Sequence, residues 1–559
     1  VLTTFDNGVT VETEWYINGL KSWEKDSTGP ATIQYWNELG QQRRQLNVNY
    51  NDPDNLHTIA IDFTYDAAGN IVGYGDSSYG DLTYVYDDAN QLTQIIEPDG
   101  TCTTGAGSAA NSGCIKIEYN ANGAETKRTY PGNATVTQTI DNAGRPTRIT
   151  AKDSAGATKV DIGYSYTAAS AGAATSTDRT NIVSRTSHLE QGIIAGAITS
   201  YTYDSLNRLT AAIEKVGTTT SASWTYAYDD AGNRTQQVRA GSTGAAAGTI
   251  NYTYDAANRI ASTSTDTTTW TYDAAGNQTR NGITGQTATY NSQGAVTGIG
   301  STAYGAMGQG NTFQTTRSAD TTEYLNTPLG LTAEKFGYGG SRAFTRDSTG
   351  DATSARLSGG SRYYYAKDQL GSVVGLFDKT GTYLGGYSYS PYGEARSTGT
   401  NQAVSTNNNL RYIAGYYDPA SGLYKLGARY YDPSLGRFTQ FDPSGQEANP
   451  FAYAEGNPAV KSDPSGTSTL SAAVDVLIAL FNGASFAQAV AGASFAQAVA
   501  GLTSAEALGL AYGFAFEAAC QLAAIALGVA TGGIGLTIGV ACFALGTSVS
   551  IAVERFYDV

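Results

Sequence analysis

FTYDAAGN, residues 63–70, returns as YVYDDANQ at 84–91, YTYDSLNR at 201–208, YAYDDAGN at 226–233, YTYDAANR at 252–259 and WTYDAAGN at 270–277. Weaker copies stand at 117–124 (IEYNANGA), 138–145 (QTIDNAGR) and 288–295 (ATYNSQGA). Self-similarity of this kind marks a repeat architecture. One unit reads residue by residue. An aromatic, any residue and then Tyr put two rings on one face of a strand, because strand side chains alternate. The Asp opens a turn, since its carboxylate accepts backbone N–H bonds from just ahead. Two small residues bend the chain, and Gly or Asn follows where φ must be positive. The chain then returns antiparallel. Each unit is a hairpin, and hairpins side by side make one long sheet.

A lone hairpin is marginal in water, whereas a row of them hides all but its end edges. Native twist curls so long a sheet, and spiralling into a barrel-like wall around a cavity is one outcome. A flat or solenoidal β-array without a lumen has the same period. Composition agrees with an all-β fold: among 559 residues there are 39 Tyr and 66 Gly but only 2 His and 1 Met, and Tyr favours strands as Gly favours turns. The net charge of −15 repels phosphates and argues against a nucleic-acid partner. Four cysteines are too few for a disulfide-stapled fold. Cys102 and Cys114 flank a loop of small residues that lets them meet, so a disulfide is expected there in an oxidising compartment. The opening VLTTFDNG has no Met and no signal-like segment, and reads as a cut inside a longer protein.

From residue 361 the plain repeat gives way to a denser pattern: DQLGS at 368–372, YSPYGE at 389–394, GLYKLGARYYDP at 422–433 and GRF at 436–438. Just beyond it, FDPSGQEANPFAYAEGNPAVKSDPSG at 441–466 carries Asp-Pro-Ser-Gly twice, with the aspartates at 442 and 463. The Tyr-Asp units resemble the YD repeats of the Rhs family, which includes bacterial polymorphic toxins, C subunits of insecticidal Tc toxin complexes and teneurins. The dense segment resembles that family's repeat-associated core. The resemblance covers roughly residues 60–467. It implies a hollow all-β shell of spiralling hairpins over 1–360, a closing core over 361–467, and a variable cargo segment over 468–559.

The same resemblance implies a chemistry. Asp-Pro also occurs at 52, 418 and 432, so by itself it is ordinary turn chemistry. In toxin members of the family two such aspartates act as an aspartyl protease on their own chain. Carried over, the pair is Asp442 and Asp463, supported by Arg437, and the cut falls between Thr467 and Ser468. Two neighbouring carboxyls cannot both ionise cheaply, so they share a proton, and one serves as base while the other serves as acid. Related cutting motifs end in Leu where this chain has Thr467, so an apolar side chain that could seat in a pocket is missing at the cut. No cofactor and no metal ligand set is implied.

The segment 468–559 has no Lys, His or Trp and one Arg, Arg555. Nucleases and deaminases need such groups to activate water or hold phosphate. Residues 505–530 and 534–553, joined by TGG, are long and apolar enough to span a bilayer as a helical pair. A buried packing segment inside the shell fits the same residues. Cys520 and Cys542 lie there as apolar thiols, and GASFAQAVA occurs twice in tandem at 483–500. The implied function is a secreted or surface-exposed toxin shell. Its implied partners are its own C-terminal cargo, a secretion or delivery machine, an immunity protein and a target membrane. The alternative is an adhesive or carbohydrate-binding surface protein that releases nothing.

Overall fold

A computed structural model describes residues 2–4, 10–26, 30–49, 59–102, 113–166, 181–241, 247–307, 311–445, 447–467 and 470–471. These fall in the first of two compact units, Val1–Gly492, and the expectations for the apolar tail lie outside the described residues. Ser468 lies outside them too. The described chain is almost wholly antiparallel β. A 21-stranded sheet runs from Leu2–Thr4 to Ile260–Thr263, and each strand pairs with the next in sequence. After the small pair Thr271–Tyr272 and Gln278–Arg280, an 11-stranded sheet runs from Ala288–Tyr290 to Tyr383–Gly385. This second sheet crosses residue 360 without a break, because backbone pairing continues where the side-chain pattern thickens.

The repeat builds the turn its residues suggest. In the first unit the Asp66 carboxylate accepts the Ala68 and Asn70 amides at 2.9 and 2.8 Å. The Gly69 amide bonds back to the Asp66 carbonyl at 3.1 Å, with φ of +89° at Gly69. Asn90 takes the same place in the next unit at φ +59°. Of the two rings, the first (Phe63, Tyr84, Tyr226, Tyr252) is buried. The second sits at a register shift, between Thr64 and Tyr65 in the first unit and between Val85 and Tyr86 in the second. Such a bulge bends the strand and re-aims the side chain. Its hydroxyl then reaches the preceding hairpin and donates to the carbonyl that follows that hairpin's turn. Tyr86 bonds Ile71 at 2.9 Å, Tyr119 bonds Leu92 at 2.8 Å, Tyr228 bonds Leu209 at 2.9 Å and Tyr254 bonds Arg234 at 2.8 Å. Burial pushes the Tyr65 and Tyr86 phenols up to about 12. Where Arg ends the turn, its guanidinium bonds the unit's Asp and lies over the next unit's ring, as Arg208 does with Asp204 at 2.7 Å and Tyr228 at 4.8 Å.

The two sheets share a core. Ile61, Phe63, Leu82, Tyr84, Ile95 and Ile117 pack in one cluster with Leu325, Ala333, Tyr364 and Phe377. Buried polar groups cross the seam in satisfied sets. Glu97 accepts Thr345 Oγ1 at 2.8 Å, Arg362 at 2.9 Å and the Tyr364 hydroxyl at 2.9 Å, and also binds Ser354. Cys102 and Cys114 form a disulfide with a Cα–Cα distance of 5.4 Å.

Candidate active site

Four short strands, Tyr416–Tyr417, Tyr424–Leu426, Arg429–Asp432 and Arg437–Phe438, make a small sheet ahead of the duplicated motif. One of its faces joins a cluster of Tyr412, Tyr424, Tyr431, Phe438 and Tyr453. Strand alternation decides which arginine joins them. Tyr431 pairs with Phe438 and Asp432 with Arg437. Arg429 therefore shares the face of Tyr431 and Phe438, and its guanidinium lies 3.6 Å from the Phe438 ring centroid. Arg437 is turned to the other face, where it stacks on Tyr254 and Phe451 and donates to the Asn258 carbonyl at 2.7 Å.

Asp442, Asp463 and Arg429 each retain about 1% exposure. Arg429 donates to Asp463 Oδ2 at 3.1 Å, to the Gly466 carbonyl at 2.5 Å and to the Pro450 carbonyl at 2.8 Å. Burial pulls the Arg429 pKa down from the ordinary guanidinium value, opposed first by Asp463 and then by Asp442. Both carboxyls thus lie within its field. They also meet at one residue. Thr467 donates its amide to Asp463 Oδ1 at 3.2 Å. Its carbonyl oxygen lies 2.8 Å from Ser444 Oγ, which in turn lies 2.9 and 2.8 Å from Asp442 Oδ1 and Oδ2. Gly466 C=O, Thr467 N–H and Thr467 C=O are three consecutive backbone groups, each held by a different side chain.

The two copies of Asp-Pro-Ser-Gly do different work. In the second, a Cβ on Gly466 would lie 2.3 Å from the Leu426 carbonyl oxygen, and one on Gly427 would lie 1.9 Å from that of Ser465. Glycine at both positions lets two backbones touch, and the Ala428 amide bonds Ser465 O at 2.8 Å. In the first, Gly445 has open space and serves only the turn, at φ +66°.

Of the residues singled out from sequence, Asp442, Asp463 and Thr467 are brought together, while Arg437 faces away and Arg429 stands at the pair in its place. Arg429, Ser444 and Ser465 were not singled out. Parity along the strand would have separated Arg429 from Arg437 had the pairing of Asp432 with Arg437 been known. Among the described residues no cluster of His, Cys, Asp or Glu fits a metal ion, and no helix is long and apolar enough to cross a membrane.

The teneurin YD-shell family model matches residues 341–454, which includes Arg429 and Asp442. The tRNA3(Ser)-specific nuclease WapA of Bacillus spizizenii is 34% identical over 113 residues, 19% of this chain and 5% of that protein. Toxin subunit YenC1 of Yersinia entomophaga is 33% identical over 105 residues, 18% of this chain and 11% of that one. These matches span a small part of the curated relatives. The crystal structure of TcdB2-TccC3-Cdc42 superposes on 82% of this chain and 25% of that chain, with a TM-score of 0.65 and 20% identity, a likeness of fold. The Tyr-Asp hairpins and the sheet they build are thus like those of the Rhs/YD-repeat shell proteins, the family model itself matching residues 341–454.

Proposed function

We propose that the chain is the encapsulating shell of a bacterial toxin and cuts its own backbone between Thr467 and Ser468, freeing 468–559 from the wall. The supporting observation is the grip on Thr467. Its amide rests on one carboxyl and its carbonyl reaches the other through a single hydroxyl. Positioning of this kind turns a bimolecular attack into a local one. The carboxyls share a proton, one draws a proton from water as it adds to the Thr467 carbonyl carbon, and the other protonates the carbonyl oxygen. Arg429 offsets part of the charge at the buried pair.

In this reading the closing core at 361–467 carries the cut, the hairpin wall holds the cargo, and the apolar tail acts at a target membrane after delivery. A secretion or delivery machine and an immunity protein are the further partners it requires. A disulfide suits an oxidising compartment, in keeping with a secreted or surface location. The match to a teneurin-type model favours a second reading, adhesion at a surface without release. A time course of the purified chain separates the two. Release of the tail from wild type, and none from Asp442→Asn or Asp463→Asn, supports the shell reading. Identical behaviour of all three chains favours adhesion.

A further inference from the structure

Among the described residues, Ser444 Oγ has three oxygens within hydrogen-bond distance: Asp442 Oδ1 at 2.9 Å, Asp442 Oδ2 at 2.8 Å and Thr467 O at 2.8 Å. A hydroxyl carries one proton. If that proton points at an ionised Asp442, the hydroxyl lone pairs face the lone pairs of the Thr467 carbonyl at contact distance. If it points at Thr467, the hydroxyl must accept from Asp442, and the two shortest contacts, to Thr467 O and to Asp442 Oδ2, are then each a donor meeting an acceptor. The carboxyl's own contacts fit the second arrangement. Asp442 Oδ1 accepts the Ser444 amide at 3.0 Å and Oδ2 the Glu447 amide at a longer 3.3 Å, so Oδ2, the oxygen less engaged by backbone and the nearer to Ser444 Oγ at 2.8 Å, is the one to carry the proton. Asp463 has the complementary surroundings. It faces the Arg429 guanidinium and accepts from the Thr467 amide and the Ser465 hydroxyl. Among the described residues, no Lys or Arg forms an ion pair with Asp442.

We propose that Ser444 relays a proton from Asp442 to the carbonyl oxygen of Thr467, which makes Asp442 the acid of the pair and Asp463 the base. This rests on the self-cleavage reading and assigns its roles. In the first step water forms a C–O bond to the Thr467 carbonyl carbon and gives a proton to Asp463. The carbonyl π pair moves onto oxygen, which takes the Ser444 proton while Ser444 takes the one from Asp442. In the second step the C–N bond to Ser468 breaks and its nitrogen takes the proton from Asp463. One hydroxyl of the tetrahedral centre returns its proton through Ser444 to Asp442 as the carbonyl re-forms. The products are a Thr467 carboxyl and a Ser468 amine, and both aspartates end as they began. Ser444 is exposed, so the relay stands on the solvent side of the buried pair, where water arrives.

The test uses the full chain and follows release of 468–559. Ser444→Ala should slow release by about a hundredfold, in the range for a lost proton-transfer group, while Ser444→Thr, which keeps the hydroxyl, should stay within about tenfold of wild type. In mixtures of light and heavy water the wild-type rate should bow downward, since two protons move together, and the residual Ser444→Ala rate should fall linearly. Release by Ser444→Ala at wild-type speed overturns the relay and leaves the self-cleavage reading intact. Equal loss in the Ala and Thr variants, with unchanged isotope profiles, also overturns it, because a positioning role would look that way. Release by Asp442→Asn and Asp463→Asn at the wild-type rate, or none from wild type, overturns both.

Discussion

Arg429 and Arg437 show how much one residue's parity decides. Both precede Asp442 in an aromatic-rich stretch, and the family resemblance favoured the one in Gly-Arg-Phe. Pairing of Asp432 with Arg437 puts Arg437 on the face away from the aspartates. Arg429→Met should therefore lower stability by about 3–5 kcal/mol, the usual result of leaving a buried carboxylate without its partner, and should abolish release. Arg437→Met should leave release measurable in chain that remains folded. Denaturant unfolding and the release time course check the two. A second residue sets a pH signature. Lys425 is partly buried, lies over the Tyr430 ring at 5.0 Å, and has its pKa pulled down to about 7 by burial. Unfolded lysine titrates near about 10.4. Between those values the unfolded chain binds more protons, so stability rises with pH from about 7 to about 10. Lys425→Met should remove that rise and be the more stable chain at neutral pH, as read from thermal midpoints across pH.

At the scale of the hairpin, the turn was legible and the link between turns was not. Asp followed by small residues and Gly or Asn is local chemistry, and Asp66 with Asn70 and Gly69 carries it out as read. The alternation also announced rings turned toward a core, and the first ring of the unit is buried at Phe63, Tyr84, Tyr226 and Tyr252. The reach of the second ring to the preceding hairpin depends on a bulge at that residue, and a bulge leaves no mark in an alternation pattern. This link is what makes a row of hairpins more than a set of pairs. Tyr86→Phe, Tyr119→Phe and Tyr254→Phe should each cost about 1 kcal/mol. Each bonds a different carbonyl, so the losses should add within about 0.5 kcal/mol in the triple variant. Chemical denaturation of the singles and the triple checks the sum, and a much larger loss in the triple would show that the links act cooperatively.

At the scale of the molecule, the all-β class and the row of antiparallel hairpins could be read from the period of the repeat. The meeting of the two sheets could not. Glu97 is joined to Thr345, Ser354, Arg362 and Tyr364 across some 250 residues of sequence, and no local pattern announces a contact of that range. The meeting of Asp442, Asp463 and Thr467 has an intermediate status. The duplicated motif pointed to the residues, and the close contact of Gly427 with Ser465 and of Gly466 with Leu426 is what brings the segments together. The central claim is that this meeting cuts the chain. Its most direct test is the intact mass of purified chain after prolonged incubation, with the amino-terminal residue of any fragment determined. The account predicts a released fragment beginning at Ser468 from wild type and an uncut chain from Asp442→Asn and from Asp463→Asn. A wild-type chain that stays whole, or variants that yield the same fragment at the same rate, would contradict it.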